Sequence, residues 1–289
     1  MQSEYVHLFS KGARPIRSSL VSAHYEKHIF KDVNLKHYLE NWTNWLIEGQ
    51  SKVLIGLEQF EYGDYTQGTS QTFDQFILRH SNQREIVVFE GEFQYHACIS
   101  KKTQFSIINN PDQLQSNQAV ILSVPFSDLG VYHPYFDLIL DTCNKLHIPV
   151  CLDLAYWGIA RNIKIDLVKH SCVKEITCSL SKPFFVLENH RVGVRFSRDY
   201  LDDGISMLNE VGMQNFYSMS LGIHYMKKFS NDWNWDQFGN LYQTLCEQYQ
   251  LTKTDTVIFG TSQVDEFRDF GRGIPGNYRI CISKLLSDI

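Results

Sequence analysis

The sequence predicts an α/β fold with a largely parallel, buried sheet. Three observations carry this. Short apolar runs of strand length recur through the middle of the chain. Segments of helical period separate them. Polar residues stand just after each run, where parallel sheets place their ligands. These residues are Ser127, Asp153, Tyr156, Ser179, Ser181 and Lys182.

The elements follow in order. Asn34–Ile47 reads as an amphipathic helix, with Leu39, Trp42, Trp45 and Leu46 on one stripe, a core or dimer surface. Gln71–His80 places Phe73, Phe76 and Ile77 on one helix face. Glu85–Phe89 and Gln118–Ser123 are apolar runs with the length of buried strands. Pro134–His147 repeats Phe136, Leu140, Cys143 and Leu146 at helical spacing. Ile148–Leu152 is a third run, ending on Asp153, and Val173–Cys178 is a fourth, ending before Ser179. Further on, Tyr200–Met207 and Trp235–Tyr249 read as helices, and Thr256–Gly260 and Tyr278–Ser283 as strands. The expected division is a large domain over 50–195. A reduced second layer is formed by 1–49 together with 196–289.

Composition narrows the function. The chain has 289 residues, 43% of them apolar and 20% charged, which is globular and excludes a disordered chain. With 27 Lys+Arg against 32 Asp+Glu the formal charge is −5, without the basic stripe of a nucleic-acid binder. No apolar run reaches the roughly 20 residues that span a bilayer. Residues 1–15, MQSEYVHLFSKGARP, lack the apolar core of a signal peptide, so the expectation is cytoplasmic. The seven cysteines are odd in number, irregularly spaced and without a CxxC, which points to free thiols.

Two segments carry chemistry. One is Asp153-Leu-Ala-Tyr156-Trp-Gly158-Ile-Ala160. The other, beginning 26 residues after Asp153, is Ser179-Leu-Ser181-Lys182, followed by His190-Arg191-Val-Gly193. In order and spacing they resemble the pyridoxal-phosphate (PLP) enzymes of fold type I, specifically the class I/II aminotransferases. That resemblance implies a three-layer αβα large domain, a small domain and a homodimer. It also implies PLP as cofactor, with a small-molecule amino donor and a keto or aldehyde acceptor as substrates.

The resemblance also implies roles. Lys182 would form the Schiff base, and its freed amine would move the α-proton. Asp153 would hold the pyridine nitrogen's proton, and Tyr156 would face the ring's phenolic oxygen. Ser179, Arg191 and the Gly68-Thr69-Ser70 turn before the Gln71–His80 helix would take the phosphate. In Phe93-Gln-Tyr95-His96, Phe93 would stack on the ring and His96 would support Asp153, with Tyr95 where the family has asparagine. Arg279 would bind the substrate carboxylate.

Three departures stand out. The family's Asn-Pro-x-Gly loop reads Ser123-Val-Pro125-Phe-Ser127-Asp128-Leu-Gly130, with Ser127 in the asparagine's place. The segment after Lys182 is short. Tyr25 is a weak candidate for the tyrosine that reaches the partner subunit's phosphate. Other fold type I reactions (decarboxylation, lyase, racemase or acyltransfer chemistry) and a non-catalytic cofactor-binding module stay open. Two patterns are set aside. Gly271–Gly276 matches GxGxxG by letter but has a proline where a helix should open, and His24 and His28 lack a third metal ligand nearby.

Overall fold

A computed structural model describes residues 7–273 and 276–288. The helices are α1 (Ser19–Glu26), α2 (Leu35–Ile47), α3 (Thr69–His80), α4 (Tyr95–Ile99), α5 (Phe136–Leu146), α6 (Gly204–Glu210), α7 (Phe216–Lys228), α8 (Trp233–Gln248) and α9 (Ser283–Leu286). The strands are β1 (Lys52–Ile55), β2 (Tyr62–Thr66), β3 (Glu85–Phe89), β4 (Phe105–Ile108), β5 (Gln118–Ser123), β6 (Val150–Asp153), β7 (Ile163–Asp166), β8 (Val173–Ser179), β9 (Gly193–Ser197), β10 (Thr252–Lys253), β11 (Phe259–Ser262) and β12 (Tyr278–Cys281).

Seven strands form the main sheet in the order β2-β9-β8-β6-β5-β3-β4. All neighbours pair in parallel except at β9, which runs against both β2 and β8. Alternation along the strands sorts the core into two faces. Ile86, Val88, Ala119, Ile121 and Cys151 pack under Phe73, Phe76 and Ile77 of α3. Val87, Phe89, Val120, Leu122, Val150 and Leu152 face the other way, against α2, α5 and α7. The result is the expected three-layer αβα arrangement.

Local chemistry ends the elements where they end. The Asn34 side chain accepts a bond from His37 N–H at 2.9 Å and starts α2. His147 takes the left-handed conformation (φ 54°) that stops α5. Asp203 caps α6 by accepting from Ile205 N–H and Ser206 N–H.

A second core joins Phe9 and Ile16 to α8, β11 and β12, with the antiparallel sheet β10-β11-β12 at its edge. The two cores cut across the expected division at 49/50 and 195/196. Trp42, Trp45 and Tyr38 of α2, and Met219, Leu221, Tyr225 and Met226 of α7, are buried with the main sheet rather than with the second layer. Indole burial of this size outweighs any preference for a separate small layer. Ile274 and Pro275, within the Gly271–Gly276 pattern, lie outside the described residues, as do residues 1–6.

Candidate active site

The carboxyl ends of β3, β5, β6 and β8 open onto one cavity of about 350 Å³. Its wall includes Thr69, Ser70, Phe93, Ser127, Asp153, Tyr156, Ser179, Lys182 and Arg191 from the sequence-predicted set. The register explains the convergence: Ser123 stands opposite Asp153, and Asp153 opposite Thr177. The ends of β5 and β6 therefore lie level with each other, with β8 running two residues further to Ser179.

Asp153 forms the floor. It is 5% exposed, and its Oδ1 accepts a bond from Ala155 N–H at 2.9 Å. Burial first, and then the neighbouring Glu92 carboxylate, push its pKa up to about 8. The Lys182 amine donates to the Ala13 carbonyl at 3.0 Å, so the segment Gly12–Arg14 crosses the cavity beside it. Burial lowers the pKa of this amine, with the Glu188 carboxylate opposing. A less basic amine is a better nucleophile near neutrality.

At the other end lies a cradle of donors. The Ser179 and Ser181 hydroxyls are 3.0 Å apart. Arg191 Nη2 donates to the Gln67 carbonyl at 2.9 Å and to Ser70 Oγ at 3.0 Å. Thr69 and Ser70 occupy the first turn of α3, where free amides and the helix dipole favour an anion. Gly68 does not line the cavity but makes it possible. Its φ is +82°, and a Cβ there would stand 2.6 Å from Arg191 Nη2. Arg191 itself sits at φ 56°. Three hydroxyls pin its segment: Ser218 Oγ donates to the His190 carbonyl, Tyr65 OH to that of Arg191, and Tyr38 OH to that of Gly193. No motif in the sequence marks these tyrosines, because a backbone acceptor leaves none.

Phe93 reaches the wall with its ring nearly parallel to Tyr95 (17°, centroids 5.8 Å apart). Tyr156 joins the main sheet to the second core, and burial raises its phenol pKa against the opposing Arg279 charge.

Two expected residues stand elsewhere. His96 is 1% exposed, lies edge-on to Phe73 and Phe93, and neither ring nitrogen has a hydrogen-bond partner. Burial drives its pKa down to about 3, so it is a neutral core ring and makes no bond to Asp153. The charged neighbour of Asp153 is instead Glu92, which the sequence reading passed over. Arg279 is fully buried, stacks on Phe259 and donates to the Ser127 and Lys11 carbonyls, and it is not on the cavity wall. Arg272, cross-bridged to Arg279 through the backbone and paired with Asp128 at 2.8 Å, does stand on the wall, with Arg14 and Arg191. The glycine-rich stretch around Arg272 is the signal in the sequence that marks this neighbourhood. Tyr25 OH bonds His190 Nε2 at 3.1 Å, next to the Arg191 segment.

Among the described residues no helix is long and apolar enough to cross a membrane. All seven cysteines are free thiols. No protein family and no curated protein sequence matches the chain. Solved structures do. The chain is similar to a tyrosine aminotransferase from Leishmania infantum (TM-score 0.65, 13% identity, covering 98% of this chain and 92% of that one). It is also similar to an alanine aminotransferase from Pyrococcus furiosus (0.64, 10%, 95% and 88%). A third is a PLP-bound C-S lyase from Staphylococcus hominis (0.65, 10%, 98% and 88%). Nearly the whole chain superposes on nearly the whole of each, so this protein has the type I fold of the PLP-dependent aminotransferases and C-S lyases.

Proposed function

We propose that the cavity binds PLP and that the chain is an aminotransferase acting on an amino acid or related amine. The carrying observation is that Asp153, Tyr156, Ser179, Lys182 and Arg191 line one cavity at the carboxyl ends of the strands. The donor set fits the cofactor. Ser179, Ser181, Thr69, Ser70 and Arg191 match a phosphate, a buried carboxylate matches a heterocyclic nitrogen, and a lysine amine matches an aldehyde.

PLP, when bound, supplies an electron-withdrawing ring conjugated to the carbon that carries the substrate's nitrogen. The chain's residues do the rest. Lys182 would anchor the cofactor, and its amine would hold and move the proton at the substrate's α-carbon. Asp153 would hold the ring nitrogen's proton. Tyr156 and Ser127 would offer hydrogen bonds to the phenolic oxygen, Phe93 would pack on the ring, and the Gly12–Arg14 segment would exclude water. For a substrate carboxylate the chain offers Arg272 on the wall and Arg279 behind it. A cytoplasmic homodimer completes the reading.

A second reading, C-S bond cleavage on the same residues, is favoured by the lyase among the similar structures. One experiment tests both. Purified protein mixed with PLP should develop visible absorbance, and Lys182→Ala should abolish it. With a panel of amino compounds, loss of that band with release of a keto acid alone supports transfer. Release of a free thiol as well supports lysis. A colourless wild-type mixture overturns the cofactor reading.

A further inference from the structure

Beside Asp153 lies a second buried carboxylate that the proposed mechanism does not use. Glu92 is 6% exposed and stands just past the end of β3. Its Oε1 accepts from Ser123 N–H, its Oε2 accepts from Phe93 N–H at 3.1 Å, and the Ser123 hydroxyl reaches both oxygens at 2.8 Å. Ser123 is the β5 residue paired with Asp153 across the sheet, so one serine lies between the two acids.

We propose that Glu92 is a positioning residue that fixes the proton on Asp153: Glu92 keeps the charge and Asp153 keeps the proton until a basic nitrogen reaches the cavity floor. This rests on the reading of the cavity as a PLP site. The hydrogen bonds decide which acid holds the charge. Two backbone amides and a hydroxyl donate to Glu92, whereas a single amide donates to Asp153. Donors to a carboxylate favour its ionised form, and a nearby like charge disfavours ionisation of the second acid.

The surroundings agree. Around Glu92, the Asp128 carboxylate opposes ionisation, and Arg272 binds the Glu92 carbonyl oxygen at 2.7 Å. Around Asp153 stand Lys182, Tyr156, and the thiols of Cys151 and Cys178, both held protonated by burial. Burial raises the pKa of both acids, and the hydrogen bonds set the order in which they ionise. The transfer balances without a co-reactant. The Asp153 O–H bond breaks, the nitrogen gains the proton, and an Asp153 carboxylate stays paired with the new N–H.

Two measurements test this on the full chain. In the apoprotein, infrared titration of the carboxylic-acid C=O band, assigned with Asp153→Asn, should show Asp153 losing its proton about one pH unit lower in Glu92→Gln, a tenfold loss of proton affinity. Should Glu92→Gln fail to fold, Ser123→Ala removes the hydroxyl donor to Glu92 and should shift Asp153 the same way by less. Calorimetry of PLP binding near neutral pH, in buffers of different ionisation enthalpy, should show Glu92→Gln taking up more protons than wild type, by up to about half a proton. An unchanged Asp153 midpoint overturns the proposal. Failure of wild type to bind PLP overturns the cofactor reading and, with it, the proton's destination.

Discussion

Gly193→Ala puts the anion cradle to a quantitative test. A Cβ at Gly193 would stand 2.7 Å from Gly68 Cα, 2.7 Å from Thr66 Oγ1 and 2.8 Å from Gly68 N. Two of these atoms are backbone, at the junction of β2 and α3, and cannot swing aside as a long side chain would. The paired strands β2 and β9, in register at Thr66 and Gly193, must therefore separate locally. Overpacking of this kind costs about 1–3 kcal/mol of folding stability. The same separation moves Gly68–Ser70 away from Arg191. Loss of one charge-assisted hydrogen bond to a phosphate is worth about 1.5–3 kcal/mol. That weakens PLP binding roughly ten- to a hundredfold. Urea denaturation followed by tryptophan fluorescence reads the first quantity, and an absorbance titration with PLP reads the second. A folded variant that binds PLP as tightly as wild type would refute the placement of the phosphate at this turn.

Two further outcomes follow from buried charge. The folded chain binds the Asp153 proton more tightly than the unfolded chain does, so this group stabilises most at low pH. Its contribution declines as pH rises towards about 8. The urea midpoint of wild-type apoprotein should fall from about pH 5 to about pH 8 relative to that of Asp153→Asn, and parallel curves would count against the buried carboxyl. Arg195, fully buried, pairs with Asp64 and Asp203 and approaches Glu175, which Arg79 also binds. Arg195→Gln leaves these acids short of a cation and should cost about 3–5 kcal/mol at neutral pH. The deficit should shrink on acidification as the acids take up protons, and a loss that does not vary with pH would refute the electrostatic cause.

How far the sequence was legible follows from what each residue's signal depends on. Glu85–Phe89 and Gln118–Ser123 are found at the predicted bounds because both faces of these strands are covered, so Ile86–Phe89 and Ala119–Leu122 are apolar throughout. β9 was missed for the opposite reason. Gly-Val-Arg-Phe-Ser places a guanidinium in mid-strand, and its burial is tolerable only because the fold brings it Asp64 from a strand far back in the chain and Asp203 from the start of the next helix. No local pattern announces a partner that the fold supplies. α7 was hidden likewise, since its buried serines and glycine mask the apolar stripe.

The site divides along the same line. Lys182, Asp153 and Arg191 were readable because each sits in a short motif whose spacing the backbone enforces. Glu92 and Arg272 were not, because each acts through a long-range approach: Glu92 to the end of the next strand, Arg272 to Asp128 from the far side of the chain. His96 shows the converse error. A ring at the right spacing was given a polar role, and only its packing against Phe73 and Phe93 reveals a neutral core residue. Motif spacing therefore identifies residues that line the cavity. The charges that tune those residues are set by topology and need coordinates to be seen.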